Sequence, residues 1–185
     1  MQVLPGDDAV VRAKAGDMSA FRGLVESHSR EVFRLAYRMT RNEEDAEDIV
    51  QETFIRAYQR MGDFEQRASF STWLYRITAN AAIDLLRRRK RVEGRNTPLE
   101  DADSGVAGEQ EKQVFGRQVR ESVNAALGRL SALERAAFVL RHSEELSLSE
   151  ISATLDITVN ATKQAIFRAV KKLRSALAGV PRTAP

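Results

Sequence analysis

The chain of 185 residues contains no cysteine. This absence excludes disulfide bonds, zinc sites with thiolate ligands and thiol nucleophiles. The chain also lacks any apolar run near the roughly 20 residues of a membrane-spanning helix. Its N-terminus, MQVLPGDDAV, has neither the basic start nor the apolar stretch of a signal peptide. We therefore expect a cytoplasmic protein without membrane insertion.

A long alternation of apolar and polar residues, the pattern of a half-buried strand, is also missing. Apolar residues recur at helical spacing instead, so the sequence predicts an all-α fold. The first predicted helix is capped by Asp17 and buries Phe21, Leu24 and Val25, and a second is marked by Val32, Leu35, Ala36 and Met39. A third starts in the acidic run Glu43 to Asp48, where the helix dipole favours carboxylates, and a fourth begins near Ser71.

The middle of the chain has too few apolar residues to pack. Residues 93–115 contain Pro98, three glycines and two basic against six acidic residues. This composition is typical of a flexible linker. We therefore predict two small helical domains, residues 1–92 and 116–178, joined by an acidic linker at 93–115 and followed by a disordered tail at 179–185.

The second predicted domain ends in a helix-turn-helix. Capping-box patterns at Ser131 with Glu134 and at Ser147 with Glu150 mark two helix starts. Thr158 is expected to cap the last helix, from Val159 to about Leu177. No acidic residue follows Asp156, against six Lys or Arg, so this last helix is basic and suits a polyanion.

The segment from Phe64 to Arg91 combines aromatic residues with five consecutive cations, Arg87 to Arg91. Aromatic rings stack on unpaired bases and arginines hold phosphates, so the segment suits single-stranded DNA. A charge run can equally be a solvated helix face.

Within the same segment, a helical stripe carries Trp73, Ile77, Asn80 and Asp84. One interpretation is a core tryptophan with locally paired polar neighbours. The other interpretation is that Asn80 hydrogen-bonds an exposed base edge.

The residues argue against a metal-dependent enzyme. Helical-bundle dinuclear sites need a Glu-x-x-His pair, but Val25 and Val139 stand three residues before His28 and His142. We therefore predict no metal, no cofactor and no enzymatic activity.

Three segments carry a family resemblance: EEDAEDIVQETFIRAY, FEQRASFSTWLYRITANAAIDLLRRRKR and LSALERAAFVLRHSEELSLSEIS. In this order and spacing the chain resembles the extracytoplasmic-function (ECF, group 4) sigma factors of bacterial RNA polymerase, of the sigma-70 family, from about Asp17 to Leu177. The resemblance implies a region 2 domain that binds polymerase and recognises and melts the −10 element. It also implies a region 4 domain that reads duplex DNA at the −35 element.

The implied partners are core RNA polymerase, through its β′ clamp helices and β subunit, promoter DNA and a cognate anti-sigma factor. The alternative is a stand-alone helix-turn-helix transcriptional regulator that binds a palindrome as a dimer. The chain has no evident dimerisation element, and half its length would then serve a second DNA-binding lobe.

The resemblance assigns residues to three surfaces. The expected polymerase contacts lie on one face of the third helix: Asp45, Asp48, Gln51 and Glu52. A basic or polar partner helix suits this face, although an acidic helix start can simply be solvated. The expected −10 contacts are Phe64, Phe70, Trp73, Tyr75, Arg76, Asn80, Arg87, Arg88 and Arg91, with Trp73 and Phe70 packing partly inward and Phe64 freer to meet a base.

The expected −35 contacts are Lys163, Gln164, Phe167, Arg168, Lys171, Lys172 and Arg174. The first four are expected to read bases, and the last three to hold phosphates. Three departures from the family pattern stand here. Asp156 occupies the turn position where glycine is usual, Thr162 takes the place of the apolar residue that usually anchors the recognition helix, and Gln164 and Ala165 replace a frequent Ser-Arg pair. The third departure leaves the usual −35 sequence preference open.

Overall fold

The computed structural model describes residues 5–65, 68–93 and 122–178, and within these ranges the secondary structure is helical. The helices are α1 (Pro5–Lys14), α2 (Met18–Thr40), α3 (Glu43–Gln59), α4 (Phe70–Glu93), α5 (described from 122 to 128), α6 (Ala132–His142), α7 (Leu148–Leu155) and α8 (Val159–Ala176), with a 3-10 turn at Met61–Asp63. The all-α prediction is confirmed. The predicted tail, and the predicted linker apart from Glu93, lie outside the described residues.

Helix α2 is a single helix of 23 residues, so the prediction of two helices between Asp17 and Met39 was wrong. Its start is as expected, because Asp17 Oδ1 accepts hydrogen bonds from the amides of Ser19 and Ala20 at 2.9 and 3.1 Å. The polar residues in its middle do not break it. The hydroxyls of Ser27 and Ser29 donate to carbonyls four residues earlier and are satisfied within the helix.

The helix-turn-helix forms as predicted from its local signals. In both capping boxes the serine hydroxyl accepts from the glutamate amide at 3.2 Å, and the serine amide donates to the glutamate carboxylate. Asp156 adopts the left-handed conformation that the turn requires, with φ 53°. Thr158 caps α8 by accepting from the Ala161 amide at 3.1 Å.

The helices form two lobes, α1–α4 and α5–α8, and these lobes pack against each other. One apolar cluster contains Leu35, Met39 and Ile83 of the first lobe together with Leu140 and Ile151 of the second. A second apolar cluster lies within the first lobe, beneath its aromatic residues. The residues expected to contact DNA therefore lie on two lobes that share an apolar core.

Candidate nucleic-acid interface

Three aromatic rings form a cluster at the start of α4. The ring centroid of Phe64 lies 5.0 Å from that of Trp73 and 5.7 Å from that of Phe70, and the Phe70 and Trp73 centroids are 5.6 Å apart. Phe64 is only 4% exposed and Phe70 only 8%, whereas Trp73 is half-buried. Trp73 is thus the member of the cluster with an accessible surface.

The expectation that Phe64 is freer than its neighbours was wrong, and the 3-10 turn explains why. The Phe64 amide donates to the carbonyl of Met61 at 3.3 Å, which directs the chain back over the core. Its ring then enters the apolar cluster that also contains Phe70 and Leu74. The inward packing expected for Trp73 and Phe70 is confirmed.

The polar residues of α4 have different surroundings. Arg76 and Asp84 are exposed, and Asn80 is half-buried beside buried Ile77. The basic run is also exposed, and Arg87, Lys90 and Arg91 line an open depression of about 340 Å³. The predicted phosphate contacts Arg76, Arg87, Arg88 and Arg91 are therefore all accessible.

Tyr75 lies at the boundary between the lobes rather than on a free surface. It is half-buried and packs against the apolar cluster that the two lobes share. Burial raises the pKa of Tyr75 to about 12, with further contributions from the negative charges of Glu144 and Glu31 and a hydrogen bond to Glu144. In this arrangement the second lobe covers the expected −10 contact Tyr75.

The acidic face of α3 is smaller than predicted. Asp48 and Gln51 are exposed, and Glu52 is partly exposed and pairs with Arg56 at 2.5 Å. Asp45, however, is only 9% exposed and faces α4, where its Oδ1 accepts a hydrogen bond from Arg89 at 2.8 Å. Asp45 Oδ2 lies 2.7 Å from Arg89 Nη1, but without the angle of a hydrogen bond.

The Asp45–Arg89 pair corrects the expectation that Asp45 is an open polymerase contact. Burial raises the pKa of Asp45, and the charge of Arg89 opposes this rise. Asp45 is therefore an internal partner of α4 rather than part of the open acidic face. Arg89, in turn, is the member of the basic run that has a structural role.

Two exposed apolar residues, which were not among the contacts expected from the sequence, extend the acidic face of α3. Ile55 is 58% exposed and Tyr58 is 50% exposed. They continue the stripe of Asp48 and Gln51 at helical spacing, on the side away from buried Ala57. This spacing is the signal that could have identified them.

The recognition helix α8 has one open face and one packed face. Lys163, Gln164, Phe167 and Arg168 are all exposed, and Phe167 is 65% exposed. On the opposite side Thr162 and Ala169 are buried, and Ala161, Ile166 and Leu173 are half-buried. The four expected base-reading residues therefore all lie on the open face of α8.

Lys172 has an unexpected partner. Its Nζ donates to Glu134 Oε2 at 2.6 Å, the carboxylate that also closes the first capping box. The hydrogen bonds from Lys172 and from the Ser131 amide outweigh burial and hold the pKa of Glu134 below its usual range. Lys171 and Arg174 are also exposed and remain accessible phosphate candidates.

Polar contacts between the lobes surround their shared apolar cluster. Arg38 Nη1 lies 2.6 Å from Glu144 Oε1. Arg135, only 8% exposed, donates to the carbonyls of Met39 at 2.7 Å and of Leu127 at 2.6 Å. Its burial lowers the pKa of the Arg135 guanidinium. The bonds to Met39 and Arg38 attach α6 and its following loop to the C-terminal half of α2, whereas the bond to Leu127 holds α6 to α5.

Two negative findings apply to the described ranges alone. None of the helices there has the length and apolar character needed to span a bilayer. No group of three or more His, Asp or Glu side chains in those ranges is placed to hold a metal ion.

Comparison with known proteins gives matches in both lobes. The family model for Sigma-70 region 2 matches residues 24–92, and that for Sigma-70, region 4 matches residues 120–173. The chain is 34% identical over 183 residues to the ECF RNA polymerase sigma factor SigW of Bacillus subtilis, covering 91% of this chain and 94% of the relative. It is 39% identical over 163 residues to the ECF RNA polymerase sigma factor SigE of Mycolicibacterium smegmatis, covering 87% of this chain and 63% of the relative.

A solved structure shows a similar fold. CnrH, in complex with the cytosolic domain of CnrY, superposes with a TM-score of 0.68 at 27% identity. The match covers 94% of this chain and 97% of CnrH.

Proposed function

The chain belongs to the extracytoplasmic-function sigma factors of the sigma-70 family, and on this premise we propose how its two lobes divide the work of initiation. A sigma factor directs core RNA polymerase to promoters. In our proposal the first lobe binds polymerase and opens −10 DNA, and the second lobe reads −35 DNA as a duplex. The polymerase supplies the catalysis, and the cytoplasm is the site of action.

The open face of α8 is the observation that carries this proposal. Lys163, Gln164, Phe167 and Arg168 project from one side of a helix whose other side packs into the second lobe. A helix of this kind fits the major groove, where glutamine pairs with adenine, lysine or arginine with guanine, and phenylalanine meets the thymine methyl. Lys171 and Arg174 lie further along and suit phosphates.

For the −10 element, the geometry supports a narrower set of base contacts than the sequence indicated. Trp73 offers a partly open ring for an unpaired base, and Asn80 lies along the same stripe. Arg76 and the exposed members of the basic run suit the backbone of the separated strand. Phe64 and Phe70 support Trp73 from beneath.

For polymerase binding, we assign the open face of α3. Asp48, Gln51 and Glu52 offer acceptors to a basic or polar partner helix, as in the clamp helices of β′. Ile55 and Tyr58 add apolar area at the C-terminal end of the same face.

The packed lobes must separate during initiation. The −35 and −10 elements lie about 25 base pairs apart, or about 85 Å at 3.4 Å per pair. Helix α4, with 24 residues, is only about 36 Å long. The arrangement in which Tyr75 is covered is therefore a closed form of the free protein.

A protein partner that favours this closed form would keep the factor inactive. CnrH is bound by a domain of a second protein, CnrY. Together with the family resemblance, this supports a cognate anti-sigma factor for the present chain. The rival function, a stand-alone helix-turn-helix regulator, accounts for the second lobe alone and leaves the region 2 match of the first unexplained.

Run-off transcription with purified core polymerase on a library of promoter fragments tests the proposal. We expect transcripts from a subset of fragments that share a −35 and a −10 sequence, and none without the factor. Substituting Gln164 should change the preferred −35 sequence and leave the −10 sequence unchanged. Transcription that is equal on all fragments would refute the assigned reading face.

A further inference from the structure

Helix α1 lies before the residues that the region 2 family model matches, 24–92, yet it is part of the same core. Val10 is 4% exposed and Ala13 is 6% exposed. Both belong to the apolar cluster that contains Phe64 and Phe70. Helix α1 therefore lies beneath the aromatic cluster of the candidate −10 surface.

One polar contact links α1 directly to that cluster. Lys14, the last residue of α1, donates from Nζ to the backbone carbonyl of Phe64 at 2.7 Å. The amide of Phe64 is held on its other side by the carbonyl of Met61. Both backbone polar groups of Phe64 thus have partners, and its ring is held 5.0 Å from that of Trp73.

The connection after α1 holds Lys14 in place. Gly16 has φ 93°, a left-handed conformation that favours glycine and turns the chain sharply into α2. Arg12 pairs across this turn with Asp17, the cap of α2, at 2.5 Å. Because α1 is fastened at this end, Lys14 acts on Phe64 from a defined position.

We propose that Lys14 is a positioning residue for promoter opening: it fixes the backbone of Phe64, and Phe64 sets the orientation in which Trp73 meets an unpaired −10 base. This inference rests on the proposed function of the first lobe and extends it to a helix before the matched region 2. Without the Nζ donor, the Phe64 carbonyl loses its hydrogen bond to α1, and the support beneath Trp73 loosens.

The test compares Lys14→Met, which keeps most of the side-chain length but has no donor, with Lys14→Arg, which keeps a donor. Arg22→Met is the matched control. It removes one positive charge from an exposed position of the same lobe, on α2, and leaves both the Lys14–Phe64 hydrogen bond and the Arg12–Asp17 pair in place. General effects of charge on DNA binding are therefore equal in the two methionine variants.

Two measurements are needed, both on the full-length chain. Trp73 is the sole tryptophan, so its emission and its quenching by acrylamide report on this ring alone. With core polymerase, permanganate reactivity of −10 thymines measures opening on duplex promoters and on promoters with a pre-melted bubble. We expect Lys14→Met to alter Trp73 quenching and to lower duplex opening about threefold to tenfold, the range of one net hydrogen bond. The bubble template should restore opening, and Lys14→Arg and Arg22→Met should resemble wild type.

The possible failures are distinguishable. If wild type opens no promoter with core polymerase, the proposed function fails and the role of Lys14 fails with it. If wild type opens promoters and Lys14→Met opens them equally well, only the role of Lys14 is refuted. A lower unfolding temperature with unchanged Trp73 quenching and unchanged opening would also refute it, because Lys14 would then be purely structural.

Discussion

Glu144 is the residue through which the closed form can be weakened without changing either DNA-reading surface. It lies in the loop between α6 and α7 and contacts two residues of the first lobe, Arg38 and Tyr75. Glu144→Gln keeps the size of the side chain and removes its charge. The neighbouring exposed Glu145→Gln is a matched control with the same chemical change one residue away.

The magnitude follows from the contacts. The Arg38 and Glu144 side chains are 40% and 11% exposed, so the pair contributes about 1 kcal/mol rather than the value of a fully buried pair. About 1 kcal/mol corresponds to roughly a fivefold shift from closed towards separated lobes.

The assay is the affinity for core polymerase. If the free protein is mostly closed and polymerase binds only the separated lobes, the apparent dissociation constant is inversely proportional to the separated fraction. We therefore expect Glu144→Gln to bind about fivefold more tightly than Glu145→Gln. Because the chain has no cysteine, Ser175→Cys on the exposed end of α8 gives a single labelling site for anisotropy titrations. Equal affinities for the two variants would refute a closed form held by Glu144.

Three further predictions follow from the positions of the site residues. Phe64→Ala should lower the free energy of unfolding by about 3 to 5 kcal/mol in urea titrations, because the ring is buried; a loss below about 1 kcal/mol would contradict that packing. The double variant Asp48→Lys, Glu52→Lys should abolish co-migration with core polymerase without lowering the unfolding temperature, and retained co-migration would contradict the α3 surface. Asp45→Asn, in contrast, should lower the unfolding temperature, because Arg89 loses its charged partner. Gln164→Ala should change the −35 sequence preference by about 1 to 3 kcal/mol. Lys171→Ala should weaken binding to all sequences equally and lower the slope of log affinity against log salt concentration by about 1, the value of one phosphate contact. A change in sequence preference for Lys171→Ala would mean that α8 is rotated on the DNA.

The sequence by itself determined the features that depend on residues close in the chain. A helix cap joins groups two or three positions apart, so the sequence suffices to identify Asp17, both capping boxes and Thr158. Helical periodicity separated the open and packed faces of α8 for the same reason. The local signals did not show that α2 continues through its polar middle, where the hydroxyls of Ser27 and Ser29 are satisfied within the helix.

Tertiary structure alone decided which polar or aromatic residues stay free. The partners that bury Asp45 and anchor Phe64 are Arg89 and Lys14, which lie 44 and 50 positions away in the chain. Glu134 engages Lys172 at a separation of 38, and Glu144 of the second lobe covers Tyr75. Periodicity shows which side of a helix a residue occupies but carries no information on what approaches that side. For this reason the family and its helices were readable in the sequence, whereas the closed form and the support beneath Trp73 became visible only in the folded chain.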